Sequence, residues 1–159
     1  LNIYTDAQED SLRVAVVGLG EWVFRREDMQ SPCATEPFEE TEWNYLLIPD
    51  VAVQKARVAV RALQGVATLW SNNGYGFSKE APKGVVPAKV YAIERIERYR
   101  PKELKREFKG RGVEILKRDT SLAVETLRKS IGARSGAEAM IAVTTIQTEN
   151  WVIHIKPLS

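Results

Sequence analysis

This sequence predicts an α+β fold, with small mixed β-sheets and helices packed on one face, on three observations. Short apolar runs bounded by Gly, Pro and Asn recur along it, LRVAVV at residues 12–17 and MIAVTTI at residues 140–146 among them. Segments with apolar residues at helical spacing stand between those runs. From residue 89 onward the predicted order is β-α-β-α-β-β, a layer of two helices on one sheet face.

Residues 1–10 are polar and weakly patterned. Residues 12–17 read as a buried strand, Gly18-Leu19-Gly20 as a turn, and residues 21–25 as a return strand with Trp22 and Phe24 on one face. Together they make a hairpin. The Gly-x-Gly also invites a nucleotide-binding reading, which needs a third glycine, a following helix and an acidic residue about twenty positions on. Glu21-Trp22-Val23-Phe24 does not start a helix, so the hairpin turn is preferred. Residues 26–42, with Asp28, Ser31, Pro32, Pro37, Glu39, Glu40 and Glu42, read as an acidic loop.

Residues 45–48 form a short apolar strand stopped by Pro49. Asp50 is placed to cap a single helix over 51–64, with Val51, Val58 and Leu63 near one face and Gly65 at its end. Residues 66–70 read as a strand, Ser71-Asn72-Asn73-Gly74 as a turn, and 75–77 as another extended piece. The Pro- and Gly-bearing stretch 79–87 reads as a linker, so the expected division is an N-terminal α+β portion, 1–87, and a second domain, 88–159.

Residues 89–99 alternate and read as a strand, although ERIERYR could extend a helix. Pro101 suits a first helical position, Leu104 and Phe108 share one helix face, and Gly110 suits a left-handed C-terminal cap. Residues 113–118 read as a short strand. Asp119, Thr120 and Ser121 are all capable N-caps for a second helix carrying Val124, Leu127 and Ile131, ended by Gly132. Residues 133–137 read as a loop, 140–146 as a strand, 147–150 as a turn and 151–155 as a final strand. In it Trp151, Ile153 and Ile155 lie on one face and His154 on the other.

The net charge of +2 conceals an asymmetry. Residues 1–50 hold three basic and eleven acidic side chains, and residues 51–159 hold twenty basic and ten acidic. A basic segment of this kind suits a polyanion, while solvated helix faces explain the same charges without a ligand. The single Cys33 excludes an internal disulfide framework and a cysteine zinc site, and fits a reducing, cytoplasmic setting. No apolar run approaches ~20 residues, so no membrane span is expected. The sequence opens on Leu without a signal-peptide pattern and reads as a fragment.

No Walker loop, Gly-x-Ser-x-Gly or His-Glu-x-x-His occurs. His154, the only histidine, has no second His or Cys to make a metal site and reads as an exposed strand residue. Cys33 sits among acidic residues, which disfavour a thiolate nucleophile. Neither catalytic, cofactor-binding nor metal-binding residues are therefore assigned. The candidates for a phosphate-tracking surface are Arg98, Arg100, Lys105, Arg106, Lys109, Arg111, Lys117, Arg118, Arg128 and Lys129, with Arg95, Tyr91, Tyr99 and Phe108 among them. Phe108 is better explained as core.

The segment RPKELKREFKGRGVEILKRDTSLAVETLRKSIG, followed by AMIAVTTI and WVIHIKP, resembles the THUMP-like C-terminal domain of a bacterial family of class I S-adenosylmethionine-dependent methyltransferases. Lys102-Glu103-Leu104, then Leu122, Val124, Leu127, Arg128 and Lys129, then Thr144 and Thr145, carry the likeness. Upstream, Tyr45-Leu46-Leu47-Ile48-Pro49-Asp50 and the Ala-rich helix after it are similar to that family's Tyr-Leu-Tyr-Glu-Pro-(Asn/Asp) segment. The hairpin at 12–25 matches its small ferredoxin-like region. Two positions depart: Ile48 stands at the family's glutamate and Ala123 at its capping serine, which moves the expected cap to Thr120 or Ser121.

The resemblance implies a ferredoxin-like portion at 1–87 and a THUMP-like domain at 88–159. It implies a non-catalytic part of a methyltransferase that helps position an RNA substrate. S-adenosylmethionine is then expected in a catalytic domain of the same polypeptide, preceding residue 1, and not in this chain. The alternative is an interaction domain that docks on the catalytic domain or on a partner protein. An independent enzyme would need a pocket with convergent polar groups.

Overall fold

The computed structural model describes residues 2–6, 11–16 and 20–158, and it is an α+β protein with one antiparallel and one mixed sheet. Two compact units divide it. The first holds Leu1–Glu36 and Tyr45–Val90, and the second holds Pro37–Asn44 and Tyr91–Ser159. Among the described residues no helix is long and apolar enough to cross a membrane.

In the first unit β1 (Asn2–Asp6), β2 (Ser11–Val16) and β3 (Gly20–Arg25) form an antiparallel meander. The expected hairpin is β2–β3, with Val14 opposite Trp22; most of its turn lies outside the described residues. The polar opening stretch also pairs as a strand, which its weak pattern did not signal. In the acidic loop, residues Arg26–Gln30 wind one 3-10 turn, whose Asp28 carboxylate accepts from Arg25 N at 2.7 Å.

Three further strands lie in the order β5-β6-β4, from β4 (Tyr45–Pro49), β5 (Thr68–Leu69) and β6 (Gly76–Ser78), all antiparallel. Between them the predicted single helix is two: α1 (Val51–Lys55) and α2 (Ala59–Ala62). Asp50 does cap the first, its Oδ1 accepting from Ala52 N at 2.9 Å. Arg57 then turns left-handed at φ 60°, which a helix interior does not allow. The break buries Val53 and Val58, five apart, alongside Ala52, Ala56, Ala59 and Leu63. Val14, Phe24, Leu47 and Leu69 complete that core.

The second unit has the predicted order β-α-β-α-β-β. Its elements are β7 (Ala88–Arg98) from Tyr91 on, α3 (Pro101–Phe108), β8 (Gly112–Arg118), α4 (Val124–Ile131), β9 (Arg134–Ile146) and β10 (Glu149–Pro157). The strands lie in the order β7-β10-β9-β8; only β8 and β9 run parallel. Gln147 and Thr148, both at positive φ, turn β9 into β10. Leu104 and Phe108 of α3 and Leu127 and Ile131 of α4 bury against Val113, Ile115, Ile141, Val143 and Val152. These side chains alternate along their strands, so one sheet face carries both helices.

The cap of α4 departs from expectation. Its N-cap is Ala123, with no side-chain bond; Thr120, three residues ahead of the cap, accepts from Thr145 Oγ1 at 2.9 Å and from Leu122 N at 3.4 Å. Gly132 closes the helix left-handed at φ 65°, as its position predicted. On the opposite sheet face Phe38 meets Trp151 edge to face at 5.1 Å, and Gln147 Oε1 accepts from Phe38 N at 3.1 Å.

Candidate functional site

The basic side chains of the second unit fall into groups. Lys105 and Lys109, one turn apart, lay their alkyl chains beside Gly132 at the end of α4, and Lys129 O accepts from Gly132 N. These three lysines are exposed, and Arg106 is exposed on the same helix as Lys105. Cations in the last turns of α3 and α4 also complement the helix dipoles, which gives them a structural reason to be there.

The other candidates lie apart from that group. Arg98 and Arg100 stand at the start of α3, where Arg98 covers the Trp151 ring at 5.5 Å and Arg100 pairs with Glu103 at 3.8 Å. Lys117 donates to Leu122 O at 3.0 Å, and Arg118 is half-buried at the end of β8. Arg128 points inward, its Nη1 donating to Val113 O at 2.8 Å and Arg134 O at 2.7 Å, so it ties the core together. Arg111 lies over the Phe108 ring at 5.6 Å. Phe108 and Tyr91 are buried and Tyr99 is half-buried.

Arg111 borders a cleft of about 530 Å3 in the second unit, with Phe108 and His154 in its lining. Two irregularities of the sheet frame it. On β7, His154 pairs with Arg95 but Ile155 pairs with Ile93, so Glu94 is an extra, bulged residue. Glu94 and Arg95, neighbours in sequence, both line the cleft. On β9, Gly112 pairs with Arg134 and Val113 with Ala139, so residues 135–138 make an excursion. The excursion depends on two glycines: a Cβ on Gly136 would lie 2.8 Å from Gly112 Cα. Glu138 holds it, its carboxylate accepting from Gly112 N and pairing with Arg134 at 3.2 Å.

His154 is buried, 6% exposed, and this corrects its reading as an exposed strand residue. It lies on the helix-bearing face, stacked on Phe108 at 5.7 Å, with Nε2 2.6 Å from Glu97 Oε2. Arg95 Nε donates to the same oxygen at 3.0 Å, and Arg95 Nη2 bonds Glu107. Burial, with Arg95 beside it, holds the His154 pKa below the ordinary histidine value. Burial alone would raise Glu97, but the bonds from Arg95 and His154 outweigh it and hold the carboxyl low. Arg95 is raised in turn: its partial burial opposes this, and the bonds to Glu107 and Glu97 prevail.

Ligand atoms of Glu97, Glu107 and His154 lie within 4.8 Å of one another, the one such grouping among the described residues. The Arg95 guanidinium already bridges the two carboxylates and supplies the positive charge that a cation would bring. The cleft lining holds no hydroxyl or thiol nucleophile. What the arrangement offers is hydrogen-bond acceptors beside cations. The sequence carried one partial signal: strand alternation puts Arg95 and Glu97 on one face. That His154 is their neighbour depends on the strand register, which no local pattern reveals.

Residues 88–157 match the model of the THUMP domain-like family. No curated protein matches the chain. Among solved structures, the crystal structure of a "putative methyltransferase from Porphyromonas gingivalis W83" is similar to it, with a TM-score of 0.70 and 17% identity. The match covers 92% of this chain and 37% of that one, so the chain spans little more than a third of that protein's length. At that identity the likeness is one of fold.

Proposed function

We propose that this chain is a non-catalytic part of an S-adenosylmethionine-dependent methyltransferase and helps to bind and position an RNA substrate. The observation that carries the reading is the THUMP domain-like match at 88–157, the stretch that also brings Lys105 and Lys109 beside Gly132. The fold likeness to the Porphyromonas gingivalis protein supports a methyltransferase context. On this reading the cofactor and the reacting groups belong to another domain of the same polypeptide. The surface that meets RNA is the group around the ends of α3 and α4, with Arg106 and Arg111 beside it. Arg128, turned into the core, contributes only by holding that surface in place.

The test is a titration of the chain with labelled single-stranded RNA at salt from about 50 to about 200 mM, where phosphate contacts make affinity fall steeply. The K105Q/R106Q/K109Q triple variant is expected to weaken binding to every sequence alike. It should lower the slope of log affinity against log salt by about 2, at ~0.7 per phosphate contact on a single strand. A triple variant that binds as the parent does removes this surface from the reading. Absence of salt-sensitive binding leaves the chain as a domain that docks on protein.

A further inference from the structure

We infer that the cleft between the β7 bulge and the β9 excursion takes one unpaired RNA base that presents adjacent N–H donors, guanine above all, and that Glu94 reads its edge. The inference rests on the RNA-binding reading and assigns a base-specific pocket within it.

Bulges re-aim side chains and recur beside functional sites. Here the bulge turns Glu94 out of the strand alternation and into the cleft, while across from it the Gly112–Gly136 contact fixes the excursion that carries Glu138. Glu94, Glu107 and Glu138 line the cleft beside Arg95, Arg111 and Lys156, and such carboxylates repel phosphate. They suit a base edge that carries hydrogen-bond donors and no charge. Glu107 is committed to Arg95, and Glu138 to Gly112 N and Arg134. Glu94 is exposed and makes no hydrogen bond or ion pair within the described residues, so both of its oxygens are free. Two carboxylate oxygens match the adjacent N1–H and N2–H donors of guanine. Adenine and cytosine offer an amino group next to an acceptor, and uracil flanks its single N–H with two carbonyls, so all three fit less well. The exposed Arg111 guanidinium, backed by the Phe108 ring, supplies a plane for the base to stack on. The volume of about 530 Å3 admits a nucleoside, in the range of ordinary ligand pockets.

The experiment measures fluorescence anisotropy of the 159-residue chain with four uridine nonamers whose central base is guanine, adenine, cytosine or uracil. The guanine oligomer should bind about tenfold more tightly than all-uridine, the scale of one bidentate base contact. Glu94→Gln should abolish that preference while all-uridine binds as well as before or better. Glu94 has no structural partner, so the variant should keep the parental melting temperature. Equal binding of all four oligomers, or a guanine preference that survives E94Q, overturns the base pocket but leaves the RNA reading intact. Binding of none of them at low salt sinks both. Glu94-dependent binding of labelled tri-arginine, with no base preference among the RNAs, would make the cleft a peptide site and overturn the inference.

Discussion

His154 is where a single residue changes the behaviour of the second unit. It is neutral and buried, against Phe108 and Glu97, with Arg95 beyond. Its folded pKa lies below the ordinary 6.5. Between those two values the unfolded chain binds a proton that the folded chain refuses, so stability rises with pH across the window and falls on acidification. Glu97 acts in the same direction at lower pH. Its folded pKa is below the ordinary 4.5, so the stability it contributes above that value is lost as pH falls through the folded one. The melting temperature should therefore drop between about pH 7.5 and about pH 5.5, and His154→Gln should flatten that drop. An unchanged slope in H154Q would place the transition elsewhere. Strand alternation alone put His154 on the face away from Trp151, and the structure agrees; its burial was illegible because the covering residues come from α3 and β7.

At the scale of elements, local signals read well where the deciding residue is itself local. Gly132 at a left-handed helix end, Asp50 at an N-cap and the alternation of β10 all behave as their chemistry predicts. The split between α1 and α2 was hidden because Asn72, from a loop twelve residues on, accepts from Val60 N at 3.0 Å and caps the second helix. The cap of α4 was misread because the helix begins at Val124, which leaves Thr120 three residues ahead of the cap, where it meets Thr145, twenty-five residues away. The β9 excursion likewise depends on a contact between two glycines that no periodicity shows. Gly136→Ala would drive a methyl group into Gly112 backbone, so a loss of about 1–3 kcal/mol is expected in denaturant unfolding. The same variant should disturb the cleft, since Glu138 is carried on that excursion. A G136A chain of parental stability would show that the two strands separate freely.

Taken whole, the α+β class and the order β-α-β-α-β-β were legible from residue 89 onward, because each element there carries its own periodicity and stop signal. The membership of the second unit was not. Residues Pro37–Asn44 belong to it, although the sequence shows them only as part of an acidic loop. Phe38 is buried on Trp151, so Phe38→Ala should cost about 3 kcal/mol in unfolding free energy, measured by urea denaturation. A piece cut to begin at residue 88 should show the same deficit, and one that melts like the complete unit would contradict it. The bond from Phe38 N to Gln147 spans 109 positions of chain. On a ribosome adding about 5–20 residues per second, Phe38 leaves the tunnel on the order of 10 seconds before its docking surface exists. Through that interval Phe38 stands among Glu36, Glu39 and Glu40, and flanking charges of this kind disfavour the aggregation of an exposed apolar side chain.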